Sequence, residues 1–180
     1  MIETVVESIR VSLVTQHRVV ILKEVSGERH LPIWIGPFEA EAIAMELQSM
    51  ASARPLPYDL MKTIVNDMGG VIQQVLVTDL AQDVFYARII IEQNGKRIEI
   101  DSRPSDAIAL AVRVKVPILV DETVMDKAGV TLDPEGDAEA ESTPERKRAG
   151  EDVPAGSDLS VFRDFINSLD FEDFEKRRDN

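Results

Sequence analysis

Asn94-Gly95-Lys96-Arg97-Ile98-Glu99-Ile100-Asp101-Ser102-Arg103-Pro104-Ser105-Asp106-Ala107-Ile108-Ala109 decides the fold class. Asn94-Gly95 is the dipeptide that most readily enters the left-handed conformations of a two-residue hairpin. Apolar residues alternate on both sides of it, so Val84 to Ile91 and Arg97 to Ile100 read as paired antiparallel strands. Pro104 stops the second strand and opens a helix, because proline at the first helical position forfeits no hydrogen bond. Ala107, Ile108, Ala111 and Val112 then recur at helical spacing. A hairpin that runs straight into a helix predicts an α+β fold.

The same grammar holds upstream. Val5 to Val14, Arg18 to Val25 and Arg29 to Ile35 read as three strands, with Ser26-Gly27-Glu28 as a turn, and Gly36-Pro37 opens a helix striped by Ala40, Ile43, Ala44 and Leu47. After the proline-stiffened loop Arg54 to Asp59, Asp59 is expected to cap a helix that runs to Met68 and ends at Gly69-Gly70. Val71 to Asp79 is a further strand, Pro117 to Val120 a short buried one, and Asp121 caps a last short helix to Gly129. Ile33-Trp34-Ile35 lies over Ile98-Glu99-Ile100 at an offset of 65, and Glu41-Ala42-Ile43-Ala44 over Asp106-Ala107-Ile108-Ala109. Pro55 to Asp59 likewise lies over Pro117 to Asp121. The spacing predicts an internal duplication of a three-strand-plus-helix unit about a pseudo-two-fold axis, built as mixed or antiparallel sheets with flanking helices. In that register Glu41 and Asp106 are equivalent and face each other.

Composition divides the chain. Residues 1–130 carry the periodic pattern. Residues 131–157 are rich in acids, proline and glycine and too poor in apolar side chains to offset their ordering entropy, so they read as a disordered acidic linker. Residues 158–180 read as a Phe-rich amphipathic helix, with Leu159, Phe162, Phe165, Ile166 and Leu169 at helical spacing. It is expected to dock on its own core or a neighbouring subunit, or to recruit a protein partner through 158–176. The net charge of −13 splits into −5 on residues 1–130 and −8 on the remainder, so most of the acidic excess lies outside the folded part.

With no cysteine there is no disulfide, thiolate nucleophile or Cys-ligated metal, and two histidines cannot make a three-His zinc site. A metal would have to be a hard ion on carboxylates, Mg or Mn. A reducing cytoplasmic location is expected, with no export signal and no membrane span. Phosphodiester hydrolysis needs an activated water and charge stabilisation on phosphoryl oxygens, which carboxylates with one or two divalent ions can supply. Glu39, Glu41, Asp59, Asp101 and Asp106 are the candidate carboxylates, and Arg54 and Arg103, each beside a proline that restricts its backbone, are the candidate phosphate ligands. The competing reading makes Glu39, Asp59, Asp106 and Asp121 first-turn or capping acids of helices. It likewise makes the arginines loop pins on Asp59 and Asp101. His17 reads as a surface residue, His30 as structural, and Trp34 as core, cleft or interface.

Three ordered blocks carry a family resemblance: Leu31 to Ala44 (Leu-Pro-Ile-Trp-Ile-Gly-Pro-Phe-Glu-Ala-Glu-Ala-Ile-Ala), Arg54 to Leu60 (Arg-Pro-Leu-Pro-Tyr-Asp-Leu) and Asp101 to Ala111 (Asp-Ser-Arg-Pro-Ser-Asp-Ala-Ile-Ala-Leu-Ala). With these the chain resembles the bifunctional nuclease (BFN) family, small bacterial proteins with plant relatives credited with RNase and DNase activity. The resemblance implies an α+β fold, a homo-oligomer and RNA or DNA as substrate. One departure is local: Pro57-Tyr58 stands where relatives more often have Thr-His. The resulting expectation is a nuclease with Glu39, Glu41, Asp106 and Arg103 as catalytic residues, Arg54 and Arg103 on phosphate, and Glu41, Asp101 and Asp106 on metal. The rival is a non-catalytic oligomeric module that binds a ligand or a protein.

Overall fold

A computed structural model of the chain describes residues 1–11 and 17–131. The proposed linker beyond Thr131 and the Phe-rich segment 158–180 lie outside the described residues.

The elements follow in the order β1 (Ile2–Val11), β2 (Arg18–Glu24), β3 (Arg29–Ile35), α1 (Pro37–Leu47), α2 (Pro57–Asp67), β4 (Gly70–Ala81), β5 (Val84–Gln93), β6 (Lys96–Ser102), α3 (Pro104–Val114), β7 (Ile118–Val120), α4 (Glu122–Ala128) and β8 (Val130–Thr131). The fold of the described residues is α+β, with their eight strands in one mixed sheet ordered β6-β5-β4-β7-β1-β2-β3-β8. Every neighbouring pair is antiparallel except β4 with β7. Asn94 and Gly95 both have positive φ, as the two-residue hairpin requires. Two expectations shift. The first strand begins at Ile2, and Val130–Thr131 pair with β3 where the linker was expected to begin.

Strand β7 joins two antiparallel meanders, β1-β2-β3 and β4-β5-β6. It pairs Ile2 with Val120 and Thr4 with Ile118 on one side, and Val75 with Ile118 and Val77 with Val120 on the other. The Thr4 hydroxyl adds a bond of 3.1 Å to the Ile118 carbonyl. The core lies between the sheet and the helices, with Val20, Leu22, Leu31, Ile43, Val75, Val77, Ile108, Leu110, Val120 and Val124 shielded from solvent. Burying each such side chain contributes about 1.5–3 kcal/mol.

Helix α3 is the axis of the helical layer. Ala107, Ala109 and Ala111 are buried along it and Ala40 and Ala42 along α1, and these small side chains let the two helices approach closely. Arg113, near the end of α3, holds both other long helices: its Nη1 lies 3.0 Å from Glu46 of α1 and 3.3 Å from Asp59 of α2. Asp59 is therefore not the N-cap of α2. It stands at the third helical position, because Pro57 starts the helix two residues earlier, and its Oδ2 accepts from the Leu56 N–H at 2.9 Å. Asp121 does cap α4, accepting from the Thr123 N–H. No helix among the described residues is long and apolar enough to cross a membrane.

The Arg113 clamp carries an internal cost, since its buried Nε and Nη2 have no hydrogen-bond partner among the described residues. Replacement by alanine leaves Glu46 and Asp59 without their cation and opens a gap, so Arg113→Ala is expected to destabilise the fold by about 2–4 kcal/mol. Arg113→Met, which fills the space and removes the orphan donors, is expected to lose less. Urea denaturation of the three proteins checks the ranking.

Candidate active site

Three helices begin with proline at their first position, Pro37, Pro57 and Pro104, and side chains from their first turns meet at one place. Arg103, the residue before Pro104, reaches back over its own helix and across to α1. Its Nε donates to Asp106 Oδ2 at 2.6 Å, and its Nη2 donates to Asp106 Oδ1 at 2.9 Å and to Glu39 Oε1 at 2.7 Å. The pairing with Asp106 is bidentate, the geometry that a planar guanidinium makes best. From α2 the Tyr58 hydroxyl donates to Asp106 Oδ1 at 3.0 Å. The tyrosine ring is buried and Glu39 is nearly so, whereas the Arg103 side chain is 66% exposed.

The electrostatics follow from this arrangement. Burial would raise the Asp106 carboxyl, but hydrogen bonds from Arg103 and Tyr58 and the Arg103 charge outweigh it and hold the group below the usual aspartate range. Burial, followed by the bond to Asp106 and the nearby acids, pushes the Tyr58 phenol well above the usual tyrosine range. Arg103 is raised by Asp106 and Glu39. At neutral pH the cluster therefore contains an ionised Asp106, a protonated phenol and a fixed guanidinium.

Of the residues expected from sequence, Glu39, Asp106 and Arg103 come together and Glu41, Asp101 and Arg54 do not. Glu41 is exposed on α1. Asp101 is exposed on β6, opposite Arg88, and Arg54 is exposed in the loop before α2. The acid that answers Asp106 is Glu39, two residues before the one the repeat register selects. A strand can slip by two residues without changing which side chains face inward, whereas a helix cannot. Both helices start at proline, at 37 and 104, so the register there is 67, and Glu39 and Asp106 both fall at the third helical position. Arg103 pins neither Asp101 nor a loop, and Asp59 belongs to Arg113.

The expected ligand set for Mg or Mn, Glu41, Asp101 and Asp106, is not assembled, and among the described residues no three or more His, Asp or Glu are grouped to hold a metal ion. Two carboxylates with an arginine already bound between them do not fit a resident divalent cation. Tyr58, seen in the sequence only as a departure from the family pattern, is a member of the cluster. His30 is buried with Nε2 3.3 Å from Glu7, and half-exposed Trp34 meets His17 edge-on at 5.5 Å; both lie apart from the cluster.

Gly36, the residue before α1, makes room for the cluster. A Cβ there would collide with the Glu39 carboxylate, while its φ of −70° is open to any residue. Because folding raises the Tyr58 pKa, the stability that its proton provides is complete below the unfolded value of about 10 and is lost as pH rises beyond it. Stability between neutral and strongly alkaline pH is expected to fall less steeply in Tyr58→Phe than in the wild type, which thermal denaturation across that range measures.

Comparison with known proteins agrees with the resemblance. The profile of the bifunctional nuclease domain matches residues 20–133. An uncharacterized protein of Mycobacterium tuberculosis is 38% identical over 173 residues, 96% of this chain and 98% of that protein. Bifunctional nuclease 1 of Oryza sativa subsp. japonica is 29% identical over 119 residues, covering 64% of this chain and 36% of the plant protein. Bifunctional nuclease 2 of Arabidopsis thaliana is 32% identical over 110 residues, covering 59% and 33%. The plant proteins are thus about three times longer than the segment they share with this chain. The matched segment contains all four cluster residues, and the chain belongs to the bifunctional nuclease domain family.

Proposed function

We propose that this protein is a nuclease that hydrolyses phosphodiester bonds of RNA and DNA at the Arg103–Glu39–Asp106–Tyr58 cluster. The observation that carries the reading is the exposed guanidinium of Arg103, anchored from behind by two carboxylates. Nε and Nη2 are used in the anchoring, and Nη1 remains to bind a phosphoryl oxygen. A cation held in place before substrate arrives stabilises the charge that develops on phosphorus-bound oxygens without reorganising.

Glu39 is the proton acceptor in this reading. Its Oε1 takes one bond from Arg103, whereas both oxygens of Asp106 are committed to Arg103 and Tyr58. A water aligned on phosphorus gives its proton to Glu39 Oε2, the new P–O bond forms, and the ester P–O bond breaks with its electron pair leaving on the sugar oxygen, which takes a proton from solvent. Asp106 and Tyr58 orient the arginine and do not transfer protons. Phe38, beside Glu39 in the first turn of α1, is 80% exposed, the most open large apolar side chain among the described residues, and offers a face on which a nucleobase can stack.

The test is cleavage of labelled single-stranded RNA and DNA by full-length protein, each in Mg, in Mn and in EDTA. Arg103→Ala is expected to lower kcat/KM by about 10²–10³-fold, with little recovery in Arg103→Lys because the ammonium cannot span both acids. Glu39→Gln is expected to lower kcat by about 10²-fold or more. Gly36→Ala, which displaces the Glu39 carboxylate, is expected to lose about tenfold while the protein stays folded. Wild-type cleavage by Arg103→Ala and Glu39→Gln alike would remove the chemistry from this cluster and favour the non-catalytic binding module.

A further inference from the structure

Arg103, Glu39, Asp106 and Tyr58 leave few groups free for a substrate. Arg103 donates through Nε and Nη2 to Asp106 and Glu39, both Asp106 oxygens accept, and the Tyr58 hydroxyl donates to Asp106. The neighbouring Ser102 hydroxyl donates to the Arg103 carbonyl at 2.8 Å. One arginine nitrogen, Nη1, and one carboxylate oxygen, Glu39 Oε2, remain. The Glu39 side chain is largely shielded, and Oε2 occupies the space that a Cβ on Gly36 would need, so this oxygen is held in place. Burial and the bond to Asp106 push the Tyr58 phenol well above its usual range, so it keeps its proton.

For free water such a site supplies a base and little else. A water in line with the leaving oxygen has to be fixed in position as well as deprotonated, and Oε2 alone leaves it free to turn away. RNA carries its nucleophile with it: the 2′-hydroxyl sits on the ribose carbon next to the one that bears the 3′-phosphate. Tethering of this kind is equivalent to a local concentration of about 10⁵–10⁸ M. In the transition state the attacking 2′-oxygen and the phosphoryl oxygen are both bound to phosphorus, two bonds apart. Oε2 and Nη1 stand at the two ends of one ion pair, closed by the 2.7 Å bond between Oε1 and Nη2, and so can serve those two atoms at once.

Building on the nuclease reading, we propose that on RNA the cluster uses the substrate's own 2′-hydroxyl as the nucleophile and works by transesterification, leaving a 2′,3′-cyclic phosphate and a 5′-hydroxyl. Glu39 Oε2 takes the 2′-hydroxyl proton and the O2′–P bond forms. The P–O5′ bond breaks with its electron pair on the 5′-oxygen, which takes a proton from solvent. Arg103 Nη1 holds the charge on a phosphoryl oxygen throughout. Nothing is oxidised or reduced, and no water is consumed until the cyclic ester opens. Exposed Phe38 stacks an unpaired base, so the preferred class is single-stranded RNA. DNA, which lacks the 2′-hydroxyl, is left with the slower attack by water.

The full-length protein is tested on a single-stranded DNA oligonucleotide that carries one ribonucleotide, on the same strand with that residue 2′-O-methylated, and on the all-DNA strand. Cleavage is expected on the 3′ side of the ribonucleotide. Mass spectrometry at early times is expected to find a terminus one water lighter than the phosphate monoester, and a 5′-hydroxyl on the other fragment. Methylation is expected to slow cleavage there by at least about 10³-fold. Glu39→Gln and Arg103→Ala are expected to lose this cleavage together, which separates it from a contaminating ribonuclease. Fragments ending in 5′-phosphate and 3′-hydroxyl, formed at equal rates with and without the methyl group and lost in both variants, overturn the inference and leave the nuclease reading standing. Cleavage unchanged in both variants, or no cleavage of any strand, overturns both.

Discussion

Three residues, Ile118-Leu119-Val120, hold the molecule together. Each meander is an antiparallel unit, but each offers an open edge at β1 or β4. β7 fills the gap between those edges, antiparallel to β1 and parallel to β4. It arrives there only after α3 has crossed the layer, so the suture depends on a non-local connection whose closure entropy must be met before the contacts form. Its two inward side chains, Ile118 and Val120, are almost wholly shielded. The helical layer is built on the same crossing: α3 connects β6 to β7 and receives α1 and α2 on its flanks.

Two arginines divide the electrostatic work at the two ends of α3. Arg113, largely buried near the C-terminal end, binds one acid from α1 and one from α2 and sets the spacing of the layer. Arg103, exposed just before the N-terminal end, binds one acid from α1 and one from α3 itself. The acid held by Arg113, Asp59, follows Tyr58 directly, so the buried clamp places the phenol that completes the exposed cluster. Arginine suits both places because its charge persists and its planar fork engages two carboxylates at once.

Much of the fold is legible in the sequence because its signals are local. Asn94-Gly95 declares a hairpin, and Pro37 and Pro104 declare helix starts, with no reference to distant residues. Arg103-Pro104-Ser105-Asp106 carries half of the candidate site in four consecutive positions. What is not legible depends on registration between elements. Alternation in β3 and β6 is satisfied equally by offsets of 65 and 67, and only the helix starts distinguish Glu39 from Glu41. Asp59 looks like a cap by composition, yet Pro57 two residues earlier takes the first helical position. Arg113 stands in an otherwise apolar stretch and shares a face with Asp106, Ala109 and Leu110 at helical spacing, and its partners, Glu46 and Asp59, come from two other helices that no local pattern connects to it. Asp101 and Asp106 look alike as acids near Arg103, but strand geometry turns the first to the sheet's outer face.

The residues preceding the two proline-initiated helices that meet at the cluster, Gly36 before α1 and Arg103 before α3, differ as much as two amino acids can. One contributes no side chain, and the space above it is taken by the Glu39 carboxylate. The other contributes the longest cation available, and it reaches that same carboxylate. Emptiness at one helix start and bulk at the other form a single steric and electrostatic fit. The two positions constrain one another: a larger residue at 36 would displace the acid that Arg103 needs, and a shorter residue at 103 would leave that acid without its cation. Positions 36, 39, 103 and 106 should therefore vary together or not at all.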